Sequence, residues 1–217
     1  MTAFQEHTRR VGERTLEALP VPLRGEIYVI SFRIWRHDSF DRRHPYLAIG
    51  YNTESEVRRV LGGGGGGSPD PGDVRWSYAY WPLDETTGIV GHGPEPATDD
   101  PAGAAPHLAE IKELGLWYEE LDPEDGNGNE NGAREEREAR DKLLVAHFDD
   151  ACVDLARHLH TSGKLTEVLG RPVPIVPFDM YRAGYEPDLA EAANPPEVVA
   201  DYLAWARARA RARAREE

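Results

Sequence analysis

Residues 26–36 read EIYVISFRIWR, a run of β-branched and aromatic side chains without a breaker, apolar on both alternating faces until Arg33 and Arg36. Such a segment fits a strand covered on both sides, in the interior of a sheet. After the turn-like residues 37–45, the run 46–51 supplies a second strand, and the two predict an antiparallel hairpin. Upstream, Thr2 with Gln5 three residues later forms a capping-box pattern for a helix carrying Phe4, Val11, Leu16 and Leu19, which Pro20 and Pro22 stop. Downstream, Thr53 with Glu56 repeats the pattern and predicts a short helix to Leu61, ending at six glycines.

Residues 74–81, VRWSYAYW, put Trp76, Tyr78 and Tyr80 on alternate positions, which predicts a strand. The stretch 88–103, rich in Gly, Pro and Asp, reads as a loop, 107–121 as a helix, and 122–132 as a mobile polar insertion. The longest helix is expected over 141–162, with Leu144, Phe148, Cys152, Leu155 and Leu159 on one face and Gly163 beyond its end. Prolines in 172–180 argue for an edge strand, and Asn194-Pro195-Pro196-Glu197 starts a last helix with Asn194 as its cap. Together these predict an α+β fold: a single domain over 1–206 with a mainly antiparallel sheet of about four to five strands and flanking helices. Flexible loops are expected at 62–73 and 122–133, and an Arg-Ala helical extension or tail at 207–217.

At 217 residues one core buries roughly 70% of the surface that the unfolded chain exposes, so no staples are needed. The lone Cys152 can form no internal disulfide and fits a reducing cytoplasm. No stretch approaches about 18 consecutive apolar residues, and the opening MTAFQEHTRRVGERTLEAL is charged throughout, so neither secretion nor a membrane span is expected. The net charge of -14 is concentrated: residues 84–154 hold 20 acidic and 5 basic side chains, leaving the rest of the chain at +1. Acid repels phosphate backbones, so a nucleic-acid role is not expected, whereas an acidic face suits a basic protein. The abundance of Arg, Ala, Gly and Pro matches translation from a GC-rich genome.

Side chains that can carry chemistry are scattered. His147, Asp150, Asp154 and His158 share one side of the long helix, between about 240° and 320° from Leu144 at about 100° per residue. That is the flank of a helix, which fits solvated i,i+4 pairs better than a metal site, because no second ligand motif accompanies it. Cys152 lies on the apolar face and behaves as a small hydrophobe, and no Ser elbow surrounds Ser31 or Ser77. The run GGGGGGSPDPGD lacks the Gly-Lys-Ser/Thr ending of a phosphate cradle. No catalytic residue, metal or cofactor is assigned. The candidate binding set is the aromatic segment and the early strand end: Asn52, Glu54, Arg75, Trp76, Tyr78, Tyr80 and Trp81.

EIYVISFRIW, the following YNTESEV, RWSYAYW, ARHLHTSGKL and NPPEVVADYLAWA occur here in an order that resembles an uncharacterised bacterial family, domain of unknown function four-three-zero-three. The resemblance covers about two-thirds of the chain in separate blocks. It implies a strand leading into Asn52-Thr53-Glu54 and an Arg75-Trp76-Ser77 element; Tyr80 stands where an acidic residue is expected before the second Trp. It implies no activity or cofactor, only a likeness to small cytoplasmic proteins encoded near contact-dependent toxins and their immunity genes. The function expected is therefore a cytoplasmic, non-enzymatic interaction protein of immunity or defence type, acting through an acidic surface on a basic protein partner and on neither nucleic acid nor membrane. The alternative is an enzyme or small-ligand protein with an aromatic pocket around 74–81.

Overall fold

The computed structural model describes residues 1–36, 41–63, 69–82, 87–93, 100–119, 130–182 and 184–215. The fold is α+β, with one four-stranded mixed sheet in the order β3-β2-β1-β4 and helices on both faces. Strand β1 (Ile27–Arg36) is central, every residue but Trp35 buried. It pairs antiparallel with β2 (Pro45–Thr53) and parallel with β4 (Ile175–Asp179), an edge strand as its prolines predict. Strand β3 (Gly88–Gly91) pairs antiparallel with β2 at the other edge. Among the described residues no helix is long and apolar enough to cross a membrane.

A bulge between Ile27 and Val29 shifts the register of β1 against β2 and turns Tyr28 and Val29 to the same side. That face packs on α2 (Glu54–Gly62), α3 (Pro71–Trp76) and α8 (Pro196–Arg213), with Val57, Val74, Trp76, Val199 and Tyr202 buried. The other face carries Ile30, Phe32, Ile34, Leu47 and Ile49 against α1 (Ala3–Glu17) and α5 (Glu130–Thr161), which contribute Phe4, Leu16, Phe148, Leu155 and Leu159. The Thr2 capping box and the Thr53 cap form as their spacing requires.

Several expectations are corrected. Residues 74–81 are no strand: Asp70 accepts from the backbone N–H groups of Gly72 and Asp73 and Pro71 fills the first turn, so α3 runs to Trp76 and a 3-10 turn spans Tyr78–Tyr80. Helix also replaces the ends of both expected loops. Within 62–73, α2 extends to Gly62 and α3 begins at Pro71, while 64–68 lie outside the described residues; within 122–133, α5 begins at Glu130, and 122–129 lie outside. The early turns of α5 carry the pairs Arg134–Glu138 and Glu136–Arg140 at i,i+4 spacing. The expected loop 88–103 contains β3, where glycines permit close approach: a Cβ on Gly91, at φ +100°, would lie 2.7 Å from the Pro45 carbonyl, and one on Gly88 would strike Thr15 of α1. Helix α4 (Ala104–Glu113) starts earlier than expected because the Asp100 carboxylate accepts from the N–H groups of Ala104 and Ala105, and it stops where Gly115 takes φ +70°.

Asn194 does not cap α8, whose cap position is Pro195. Its buried amide instead joins three elements. It accepts from the Ile175 N–H at 2.7 Å, donates to the Ile175 and Ala190 carbonyls at 2.7 Å each, and meets His160 Nε2 at 2.9 Å. Ala190 belongs to α7 (Glu186–Ala193), which α6 (Lys164–Leu169) precedes beyond β4. The Arg-Ala run continues α8 to Arg213, with Arg207 and Arg209 paired to Glu191 and Asp73.

Candidate functional site

The sequence-derived set gathers at the amino end of β1. Arg75 donates twice to Glu54, at 2.9 and 2.8 Å, and lies over the Tyr28 ring with 4.1 Å to its centroid. The Tyr28 hydroxyl donates to the Arg75 carbonyl at 2.5 Å and accepts from Asn52 Nδ2 at 3.0 Å, while Trp81 Nε1 donates to the same carbonyl at 3.0 Å. Asn52 Oδ1 accepts from the Thr53 N–H. The Arg75 hydrogen bonds hold the Glu54 carboxyl below its ordinary range, and burial pushes the Tyr28 phenol upward. Trp76 meets Tyr28 and Tyr202 edge-on, and Trp81 meets Phe178. Five of the seven residues thus interlock, while Tyr78 and Tyr80 stand at the surface, 38% and 37% exposed. The bonds within this cluster use the polar groups that the sequence marked out.

The carboxyl end of β1 is built differently. Four of the eight histidines touch in series there. His44 Nδ1 meets Asp41 at 2.7 Å; its ring stands edge-on to His92 and Trp117, with 4.8 and 5.7 Å between centroids. His92 Nε2 and His107 Nδ1 lie 2.8 Å apart and share one proton, so one ring donates and the other accepts. His107, 1% exposed, is enclosed by Phe4, Phe148 and His147. Burial, and then the neighbouring rings of His92, His147 and His44, push its pKa well below the ordinary range and keep it neutral. His147 Nε2 lies 3.4 Å from Glu110 without hydrogen-bond alignment. Burial alone would raise the Asp41 carboxyl, but hydrogen bonds from Arg43 and His44 hold it far below the usual carboxylate range.

Beside this chain, across Phe148, lies an ionic cluster at the carboxyl ends of the two parallel strands. Arg36 donates to both oxygens of Asp179, at 3.2 and 2.8 Å; Arg182 joins Asp179 to Asp149 with bonds of 2.5 Å to each. Burial pushes the Asp149 carboxyl up against the pull of Arg182. Arg36 Nε and Arg42 Nη1 are buried without an acceptor among the described residues.

The flank of α5 is not solvated as expected. His158 meets Glu13 at 2.7 Å and Asp154 accepts from Gln5 at 3.3 Å, so two of the four face α1, His147 faces α4, and Asp150 alone is exposed. Among the described residues no three His, Cys, Asp or Glu side chains converge as metal ligands do. Cys152 is buried, and burial pushes its thiol well up. Sequence reasoning missed the histidine chain, since its members come from the β1–β2 connection, the end of β3, α4 and α5 and share no spacing. No family model, curated protein or solved structure matches this chain.

Proposed function

We propose that the protein is a non-enzymatic interaction protein that binds a basic protein through an acidic surface where α4 and α5 meet. The observation that carries this reading is a pair of exposed leucines, Leu114 at 55% and Leu143 at 56%, set among exposed acids beside two half-buried aromatic rings. Contacts of His107 and Glu110 with His147, and of Tyr118 with Asp141, run the two segments in opposite directions. Leu114 and Leu143 therefore stand at the same end, one turn beyond the Glu110–His147 contact. Arg43 lies between the rings of Trp117 and Tyr118, and the Tyr118 hydroxyl donates to Asp141 at 2.5 Å, so the aromatic centre is rigid. Glu113, Glu119, Glu135, Glu136 and Glu138 on the same segments are exposed, as are Lys112, Arg134 and Lys142.

Apolar and aromatic groups inside a charged rim are the usual anatomy of a protein interface, with affinity at the centre and steering at the rim. The surface pairs Arg134–Glu138 and Arg140–Glu136 contribute little to stability and yield readily to a partner's cations. A cytoplasmic setting and an immunity- or defence-type role accompany this proposal through the resemblance to domain of unknown function four-three-zero-three and the single buried thiol. A ligand pocket at 74–81 has less support, because Trp76 and Trp81 are packed and only Tyr78 and Tyr80 face out.

The test is capture from the source lysate at about 0.05 M and about 0.5 M salt, concentrations that bracket strong and weak screening. A basic protein retained by the wild type at low salt, released at high salt and lost from Leu114→Asp/Leu143→Asp supports the reading. Identical retention by both proteins contradicts it.

A further inference from the structure

We propose that the carboxyl end of β1 is a binding site for a small oxyanion that keeps an O–H at neutral pH, of the type of hydrogen phosphate, held by Arg36, Arg42 and Asp149. This goes beyond the interaction surface and does not depend on it. The end of β1 and the start of β2 pack closely on α5 along a seam that Arg36, Arg42, Leu144, Phe148 and Asp149 line, a gap too narrow for a water molecule as long as the Arg42 side chain fills it. The Arg36 side chain is 2% exposed. Both its terminal nitrogens serve Asp179, which leaves its Nε–H with no acceptor among the described residues. Arg42, half-buried, makes no hydrogen bond or ion pair with any described residue, and its Nη1 is shut off from water.

Folded proteins pair their buried polar groups, and a desolvated guanidinium N–H without an acceptor is costly. Two of them on one gap point to a missing acceptor. Charge gives the same answer among the described residues: Arg36, Arg42 and Arg182 face Asp149 and Asp179, three cations against two carboxylates. An anion balances the difference. Asp149 gives the anion its second property. Its Oδ2 accepts from Arg182, its Oδ1 has no partner among the described residues, and it lies on the gap. An oxyanion with a hydroxyl accepts from the two arginines and donates to Asp149; one without a proton meets that carboxylate by repulsion. The gap is narrow, and the ligand enters by displacing the Arg42 side chain, which no described residue tethers. Free phosphate keeps a proton at neutral pH, whereas a phosphate ester, with its second pKa near 6, does not.

The experiment is thermal unfolding of the whole chain in phosphate, sulfate, chloride and phosphoserine at matched ionic strength, with phosphate affinity measured by equilibrium dialysis. Phosphate should raise the Tm of the wild type above the values in the other three, Arg42→Met should bind phosphate about tenfold more weakly or worse, and Asp149→Asn should lose the preference over sulfate. A larger effect of phosphoserine than of phosphate would move the source from the free anion to an ester and overturn the assignment to a protonated oxyanion. Equal Tm values of the wild type in all four salts, or an unchanged phosphate affinity in Arg42→Met, would overturn the site itself.

Discussion

The two ends of the central strand carry polar clusters of similar size with opposite states of completion. At the amino end, Tyr28, Asn52, Glu54, Arg75 and Trp81 bond to one another around a single backbone carbonyl. At the carboxyl end, Arg36 and Arg42 each hold a buried N–H with no acceptor among the described residues, and His107 a buried ring nitrogen with no partner among them. A cluster whose groups satisfy one another positions the helices around it, which is a structural task. Unpaired donors in a cluster that is otherwise well bonded mark a place where something from outside completes the bonding. The comparison therefore moves attention from the aromatic segment to the end of the sheet that adjoins the acidic surface.

The largest effect is expected at the carboxyl end. Arg36→Met leaves Asp179, with 0% of its side chain exposed, facing Arg182 alone. Loss of one partner from a buried ion pair costs about 3–5 kcal/mol, to be read from urea unfolding. An equal loss in Glu54→Gln at the amino end would erase the contrast between the ends. Asn194→Ala comes next: the Ile175 N–H loses its acceptor beside buried β4, which costs about 1–3 kcal/mol. Thermal unfolding compares it with variants shortened within 64–68 and within 122–129, and a shortened variant that loses more would move the functional surface toward that segment.

Much of the fold is legible in the sequence because its signals are local. The unbroken apolar run of β1, the prolines of β4 and the caps at Thr2 and Thr53 each rest on residues a few positions apart. The segment 74–81 shows where a local signal misleads: the alternation of Trp76, Tyr78 and Tyr80 imitates a strand, but Asp70-Pro71 upstream sets a helix and the aromatics pack by tertiary contact. Asn52, Glu54, Arg75, Trp76 and Trp81 are brought together as a set, though as a closed cluster. The carboxyl end is not legible at all, since the bonding of His44, His92, His107 and His147 exists only once four separate elements are in place.

A middle-sized effect separates the ends by pH. His107 is held neutral in the folded protein, its pKa well below that of the unfolded chain. Protons then bind the unfolded state preferentially, so stability falls as pH drops below the unfolded value of about 6.5, by at most about 1.4 kcal/mol per pH unit for this group. His160, also pushed down by burial, adds to the same slope. His107→Gln should flatten the profile of chemical unfolding between neutral pH and pH about 5, and an unchanged slope would assign it to His160 and other groups. The Glu54 carboxyl works in the opposite sense, lowered by its bonds to Arg75. Its contribution is full above about pH 4.3, the unfolded value, and is lost as pH falls through the folded one. Because that pair is partly exposed, Glu54→Gln should cost no more than about 1 kcal/mol. This is the smallest effect expected.

The measurement that bears most directly on where function lies is a paired binding experiment on the two ends, with the partner captured by the wild type titrated against two variants. Leu114→Asp/Leu143→Asp alters the surface next to the carboxyl end, and Tyr78→Ala/Tyr80→Ala removes the exposed rings at the amino end. The account predicts that the leucine variant loses the partner, by about a hundredfold for two central apolar groups, while the tyrosine variant binds as the wild type does. Loss of binding in the tyrosine variant with full binding in the leucine variant would contradict it and return function to the 74–81 segment.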